Sequence, residues 1–139
     1  MTGDYAGDLT PSEAWKVLSE DDDAVLVDCR TRAEWGYVGV PDLSRIGKKV
    51  VLVELQTYPD GARNPHFVPE LRQAGVGTET TTVFICRSGA RSAAAAEIAT
   101  AAGLGSSYNV ADGFEGQLDG DGHRGAGGWR SEGLPWRQS

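Results

Sequence analysis

The chain has 139 residues, a formal net charge of −7 at neutral pH and two cysteines. This length suits one domain, so residues 1–139 are expected to fold as a single domain. The acidic balance argues against a nucleic-acid or anionic-membrane partner. Two cysteines are too few for a disulfide framework, and no apolar run approaches the ~18 residues that cross a bilayer. These features predict a reducing, cytoplasmic location.

Short strands and helices alternate along the chain. An extended piece at 4–7 precedes a helix that Thr10 caps, with Pro11 in its first turn and Glu13 completing a capping box. In chain order, the elements predicted after this helix are a strand at 24–29, a strand at 49–55, a turn at 59–61, a helix at 67–74 ended by Gly75, a strand at 81–85, a helix at 90–102 and a strand at 107–110. This alternation predicts an α/β fold with a mainly parallel central sheet and helices on both faces.

Two polar segments lie at the ends of predicted strands. Cys86 follows the strand at 81–85, and Asp28-Cys29-Arg30 closes the strand at 24–29. In parallel α/β sheets, sites lie beyond the carboxyl ends of the strands. We therefore expect the two segments to lie near one another at one edge of the sheet.

The loop Cys86-Arg87-Ser88-Gly89-Ala90-Arg91-Ser92 stands between this strand and an alanine-rich helix. Such a loop can turn its backbone N–H groups toward one point, where the helix N-terminus adds partial positive charge. Arg87 and Arg91 add full charges, and Gly89 gives the backbone freedom to curl. A thiol held there should ionise easily, and the thiolate is the nucleophile. An inert core cysteine would leave the two neighbouring cations unexplained.

The spacing within this loop separates two kinds of chemistry. Four residues lie between Cys86 and Arg91, and Ile85 precedes the cysteine. Phosphatases that use a cysteine nucleophile have five residues in that interval and usually a histidine before the cysteine. The shorter loop predicts a smaller cradle, which suits a single terminal sulfur better than a tetrahedral phosphate.

In this loop and four further segments the chain resembles a single-domain rhodanese, a sulfurtransferase. Those segments are a strand followed by Asp-x-Arg and a short helix at 25–35, a Gly-x-Val-x-Val-Pro element at 36–41, a strand ending in a Gly-Phe turn at 110–114, and a Gly-Trp and Gly-Leu-Pro close at 128–135. The resemblance covers roughly residues 5–136. Tyr37 stands where the family often has histidine, and Cys29 where an apolar residue is usual. The glycine-rich stretch at 116–128 is a third departure.

The resemblance implies covalent sulfur transfer through Cys86. The thiolate would take sulfane sulfur from thiosulfate or a related small anionic donor, carry it as a persulfide, and pass it to a thiol, a protein acceptor or cyanide. The substrate-binding residues so implied are Arg87, Ser88, Gly89, Ala90 and Arg91. Ser92 would hydrogen-bond the sulfur or cap the helix, while Asp28 and Arg30 would support the wall of the site. Neither a metal nor an organic cofactor is implied.

Two other functions stay open at the level of sequence. One is a rhodanese-fold module that senses sulfur or recruits a partner, and the other is a cysteine-dependent phosphatase or arsenate reductase. Cys29 is interpreted as a half-buried packing residue, with a resolving thiol as the alternative. The stretch at 116–128 is expected to be a mobile loop that partly covers the site. Its His123 and Arg124 are either solvated or in contact with substrate.

Overall fold

The computed structural model describes residues 4–57, 61–117, 120–123, 125 and 127–138. The described residues form these elements in chain order: β1 (Gly7–Leu9), α1 (Pro11–Glu20), β2 (Val25–Asp28), α2 (Arg32–Tyr37), β3 (Val40–Pro41), a 3₁₀ turn (Ser44–Ile46), β4 (Val51–Leu52), α3 (Phe67–Gln73), β5 (Thr82–Ile85), α4 (Ala90–Ala101), β6 (Ser107–Val110) and β7 (Trp136–Arg137).

A parallel five-stranded sheet organises the fold. Its spatial order is β1-β6-β5-β2-β4, and every neighbouring pair is parallel. The central pair, β2 and β5, runs in register from Val25 opposite Thr82 to Asp28 opposite Ile85. A small antiparallel pair, β3 with β7, lies outside this sheet. The predicted, mainly parallel α/β fold is confirmed.

Apolar side chains cover both faces of the sheet, because successive strand residues point to opposite sides. On one face, Val27 and Phe84 belong to a buried cluster that also contains α3 and α4 residues, namely Phe67, Leu71, Ala95, Ala96 and Ala99. On the other face, Leu26 and Val83 cluster with Ala14 and Leu18 of α1 and with Trp129. Helices therefore pack on both sides, as the alternating pattern predicts.

Two helices begin with the same local device. Thr10 accepts a hydrogen bond from the backbone of Glu13, whose side chain accepts one from the backbone of Thr10, so the predicted capping box is confirmed. Thr31 and Glu34 repeat this box at the start of α2. Each box satisfies N–H groups that the first helical turn leaves without intrahelical partners.

Several boundaries differ from the sequence prediction. β1 begins at Gly7, because its pairing with Tyr108–Val110 of β6 sets its limits. β4 is only two residues long. Beyond it, the N–H of Val53 donates to the carbonyl of Asp28, the last residue of β2, at 3.3 Å, and the N–H of Leu55 donates to the carbonyl of Cys29 at 3.2 Å. In the predicted turn at 59–61, Pro59 and Asp60 lie outside the described residues. Within the part of the chain described, no helix is long and apolar enough to span a membrane.

Candidate active site

Cys86 lies at the carboxyl end of β5, in the loop that leads to α4. Gly89 has a φ of +108°, a left-handed conformation that glycine adopts without a Cβ clash. This turn aims the N–H of Gly89 at Cys86 Sγ, with 3.2 Å between nitrogen and sulfur. The N–H of Ser92, in the first turn of α4, donates to the same sulfur at 3.2 Å. Two backbone donors, one at the N-cap of α4 and one in its first turn, therefore converge on a thiol that is only 1% exposed.

The hydroxyl of Ser92 is a third polar group at the sulfur. Its oxygen lies 3.2 Å from Cys86 Sγ and also hydrogen-bonds to the side-chain oxygen of Asn109. A hydroxyl has one hydrogen, so it donates to one of these acceptors at a time. When it donates to Asn109, its oxygen is free to accept the S–H of the neutral thiol. When the sulfur is ionised, the same hydroxyl can rotate and donate to it.

A buried polar chain continues from Asn109 to the surface. Its amide nitrogen donates to Asp8 Oδ1 at 3.0 Å, and the hydroxyl of Tyr5 donates to the same oxygen at 2.7 Å. The bond to Asp8 raises the pKa of Tyr5 above its usual value. Sequence reasoning did not select Asn109. The available signal was an asparagine inside a predicted strand; the structure shows it only 4% exposed, and a buried amide needs hydrogen-bond partners.

Arg91 is clamped by a carboxylate from α2. Its Nη1 lies 2.6 Å from Glu34 Oε1 and its Nη2 lies 2.8 Å from Glu34 Oε2, a two-point ion pair. Both side chains are mostly buried, with 24% and 22% of their surface exposed. Burial raises the pKa of Glu34, but its hydrogen bonds to Arg91 and Thr31 outweigh burial and lower the pKa to about 2. This pair ties the end of the cysteine loop to the segment after β2.

Replacing Glu34 with glutamine is expected to reduce the free energy of unfolding at pH 7 by about 2 kcal/mol, because Arg91 loses a mostly buried partner. The native pKa is lowered from 4.5 to about 2, so the charged pair stabilises the fold fully above pH 4.5. That contribution is lost as the pH falls toward 2. Chemical denaturation between pH 7 and pH 2.5 should therefore show the parent and Glu34→Gln curves converging.

The matched control for this test is Glu79→Gln, since Glu79 is an exposed turn residue. Its variant should follow the parent at every pH. A gap between the parent and Glu34→Gln that stayed constant down to pH 2.5 would show that the ion pair does not supply the stability.

Arg87 also has an acidic neighbour. Its Nε lies 3.7 Å from Glu115 Oε2, and Arg130 approaches the other oxygen of that carboxylate at 3.9 Å. The Arg87 side chain keeps 49% of its surface exposed. Of the two loop arginines, Arg87 is therefore the more accessible to a ligand, whereas Arg91 is held in place.

Asp28 and Arg30 form a fully buried pair that braces the loop from behind. Arg30 Nη2 lies 2.6 Å from Asp28 Oδ2 and 2.5 Å from the carbonyl of Gly39. The guanidinium stacks on the ring of Phe114, 4.4 Å from its centroid. The N–H of Phe114 in turn donates to the carbonyl of Cys86 at 2.8 Å. The predicted supporting residues thus connect to the loop through one aromatic ring.

The turn after β6 also packs tightly against the loop. A Cβ added at Gly113 would lie 2.6 Å from the carbonyl oxygens of Cys86 and Arg87. Gln117, at the start of the glycine-rich stretch, donates to the carbonyls of Ser88 and Ala111. The beginning of the 116–128 stretch therefore touches the cysteine loop. Its expected mobility and cover stay a prediction, because residues 118, 119, 124 and 126, Arg124 among them, lie outside the described residues.

The loop assembles most of the residues selected from the sequence. Cys86, Gly89 and Ser92 meet at the sulfur, while Arg91, Asp28 and Arg30 surround the loop as braces. Ser88 and Ala90 lie on the loop, partly buried and exposed respectively. Cys29 is fully buried, not half-buried as expected, because it continues the central strand. The catalytic and binding roles of all these residues stay predictions.

Comparison with known proteins places this arrangement in a family. A family model described as the STR4 middle domain matches residues 7–139. Rhodanese-like domain-containing protein 4, chloroplastic, of Arabidopsis thaliana is 32% identical over 124 residues, which are 88% of this chain and 24% of that protein. This chain therefore corresponds to about a quarter of the plant protein.

Two solved structures are also similar. The crystal structure of Rv0390 from M. tuberculosis is 57% identical, with a TM-score of 0.90, and the match covers 98% of this chain and 100% of that one. A polysulfide-sulfur transferase homodimer from Wolinella succinogenes is 25% identical, with a TM-score of 0.61, over 95% of this chain and 78% of that one. The parallel sheet and its cysteine loop define a rhodanese-like domain. The chain belongs to the rhodanese-like family that contains the STR4 middle domain.

Proposed function

We propose that the protein is a sulfurtransferase that moves sulfane sulfur from thiosulfate or a related small anionic donor to a thiol, a protein acceptor or cyanide. The carrier is a persulfide on Cys86. The observation that carries the proposal is the convergence of the Gly89 and Ser92 N–H groups on one sulfur, each at 3.2 Å. The likeness to a polysulfide-sulfur transferase supports sulfane sulfur as the transferred group.

In the first step, the Cys86 thiolate attacks the outer sulfur of thiosulfate. The sulfur–sulfur bond of the donor breaks, and sulfite leaves with its electron pair. The N–H donors of the loop stabilise negative charge on the sulfur without having to reorganise. Arg87, with its half-exposed guanidinium, is the loop cation best able to meet the anionic donor.

In the second step, the acceptor attacks the terminal sulfur of the persulfide. The bond to Cys86 Sγ breaks, the cysteine regains the electron pair as a thiolate, and the sulfur leaves on the acceptor. The backbone N–H groups of residues 87–91 would cradle the terminal sulfur between the two steps. Ser92 would steady the sulfur, and the Asp28–Arg30 pair would hold the wall behind it. The cycle requires neither a metal nor an organic cofactor.

The proposed chemistry also suggests where the protein works. A free nucleophilic thiol needs a reducing setting, or a dedicated reductant, to avoid over-oxidation to sulfinic and sulfonic acids. We therefore propose that the reaction takes place in a reducing cytoplasm. The net charge of −7 favours neither a membrane nor a nucleic-acid partner. The donor and acceptor would be a small anion and a thiol.

Intact-mass spectrometry tests this function. After treatment with thiosulfate, one added sulfur atom should appear on Cys86, and cyanide should remove it as thiocyanate. A sensing module would keep the added sulfur after cyanide or a thiol is supplied. Sulfur added at another residue, or none at all, would contradict the proposal.

The protein is expected to show only background hydrolysis of aryl phosphates. The interval between Cys86 and Arg91 is one residue shorter than in cysteine phosphatases, and Glu34 already occupies both terminal nitrogens of Arg91. A phosphate would have to displace that carboxylate to gain the same bonds. The measurement is release of nitrophenol from para-nitrophenyl phosphate, with Cys86→Ser as the blank. Hydrolysis that depends on Cys86 would show that the spacing does not exclude phosphate.

A further inference from the structure

Cys29 and Cys86 occupy directly opposite positions on neighbouring parallel strands. In this ladder, the N–H of Val25 donates to the carbonyl of Thr81, one residue before its partner Thr82. The N–H of Cys29 donates in the same way to the carbonyl of Ile85, at 3.0 Å. Continuing the register therefore sets Cys29 opposite Cys86, one step beyond the last paired residues of β2 and β5.

The two side chains also lie on the same face of the sheet. Cys29 and Cys86 belong to one buried cluster with Val27 and Phe84, whereas Ile85 belongs to the cluster on the opposite face. The Cys29 thiol donates to the carbonyl oxygen of Ile85, whose peptide bond leads into Cys86. Neighbouring strands are about 4.8 Å apart, within the range of about 4.4–6.8 Å between the Cα atoms of disulfide-bonded cysteines.

Both cysteines are free thiols, and both are buried. Cys86 begins the loop between β5 and α4, where the Gly89 and Ser92 N–H groups meet its sulfur, whereas Cys29 directly follows β2. Cys29, opposite Cys86 in the register and on the same face, is placed to approach Cys86 Sγ itself, whereas the outer sulfur would lie against the N–H groups of the loop.

We propose that Cys29 is a resolving thiol that attacks the Cys86 persulfide at Sγ when no acceptor removes the outer sulfur. This activity rests on the proposed function, since it consumes the persulfide. It would release the stored sulfur as hydrosulfide and leave a Cys29–Cys86 disulfide.

The step is balanced without an outside oxidant. The Cys29 thiolate forms a bond to Cys86 Sγ, and the bond between Sγ and the outer sulfur breaks. Hydrosulfide leaves with that electron pair, and the proton of Cys29 passes to solvent or to the leaving sulfur. The sulfane sulfur is reduced and the two cysteine sulfurs are oxidised. A dithiol reductant would then restore the enzyme.

The surroundings of Cys29 make this step slower than transfer to an available acceptor. Burial, the neighbouring Cys86 and Asp28 raise the pKa of the Cys29 thiol well above its usual value, and Arg91 opposes them. Little thiolate is therefore present at neutral pH. The reaction would compete only when the persulfide persists, and it should accelerate with pH by roughly tenfold per unit while the thiol is mostly protonated.

The test uses the whole protein, freed of reductant and treated with thiosulfate without an acceptor. Intact mass, sulfite and hydrosulfide are followed over time at several pH values. In the parent, the species with one added sulfur should give way to one lacking two hydrogens, with one hydrosulfide released per chain. Peptide mapping without reduction should then detect a peptide in which a disulfide links Cys29 to Cys86. In Cys29→Ala and Cys29→Val, the added sulfur should persist and no disulfide should form.

The outcomes distinguish this inference from the proposed function. A parent persulfide that lasts as long as that of the Cys29 variants would overturn the resolving step alone. Hydrosulfide release without the linked peptide would overturn it as well. If no sulfur is ever added to Cys86 in the parent, the proposed function fails and the resolving step fails with it. If a variant does not fold, the parent alone still decides, because a parent persulfide that forms and gives no linked Cys29–Cys86 peptide overturns the resolving step.

Discussion

Replacing Cys86 with serine is expected to abolish transfer of sulfur from thiosulfate to cyanide, by at least ~10³-fold, while the domain stays folded. A serine hydroxyl can accept the N–H bonds of Gly89 and Ser92 that now reach the sulfur. It is not ionised at neutral pH, however, and cannot attack the outer sulfur of the donor. The loss should therefore fall on chemistry and leave the architecture of the loop intact.

Two measurements check this result. Thiocyanate formation reports turnover, and thermal unfolding reports stability, which should change by less than about 1 kcal/mol because serine is nearly isosteric with cysteine. Cys86→Ala provides a second inactive variant without the hydroxyl. Turnover at the parent rate in a folded Cys86→Ser protein would remove Cys86 from the mechanism altogether.

The sequence predicts the segment around Cys86 closely, for reasons of local chemistry. The apolar run before the cysteine predicts β5 to within one residue, and the alanine-rich stretch predicts α4 to within one residue. Glycine is the only residue type that adopts the positive φ observed at position 89 without a steric penalty. Each of these signals is contained within a few neighbouring residues, so no tertiary information is needed.

The partners of the loop arginines could not be predicted in the same way. Glu34 is 57 residues from Arg91 in sequence, and Glu115 is 28 residues from Arg87 by their numbering. Composition shows that carboxylates are abundant, but only the fold decides which ones meet the loop. The two cations expected to activate the thiol are thus partly neutralised, which leaves a larger share of that task to the backbone N–H groups and the start of α4.

The exposed fraction of a side chain that is neither strongly polar nor purely apolar is also hard to predict from sequence. Cys29, expected to be half-buried, is fully buried beside the cysteine loop. Short strands such as β3 and β7 gave no signal, because two residues are too few to show alternation. Local sequence patterns predict the cysteine loop, whereas only the structure shows which distant side chains contact that loop.

Replacing Gly89 with alanine is expected to reduce sulfur transfer by more than ~100-fold and to lower the free energy of unfolding by about 2–4 kcal/mol. The φ of +108° is unfavourable for alanine. A Cβ at this position would also overlap the carbonyl oxygen of Ala111 and lie 2.9 Å from the carbonyl carbon. The loop would have to move away from the turn after β6, and the N–H of Gly89 would leave Cys86 Sγ.

Gly75→Ala is the matched control, because it separates backbone strain from the clash. Gly75 has a similar φ of +102°, but a Cβ there would meet nothing within 4 Å. Its variant should lose only about 1 kcal/mol of stability and keep parent-like turnover. Chemical denaturation and thiocyanate formation are measured on both variants. If Gly89→Ala lost no more stability and activity than Gly75→Ala, the close contact with Ala111 would not be what shapes the sulfur site.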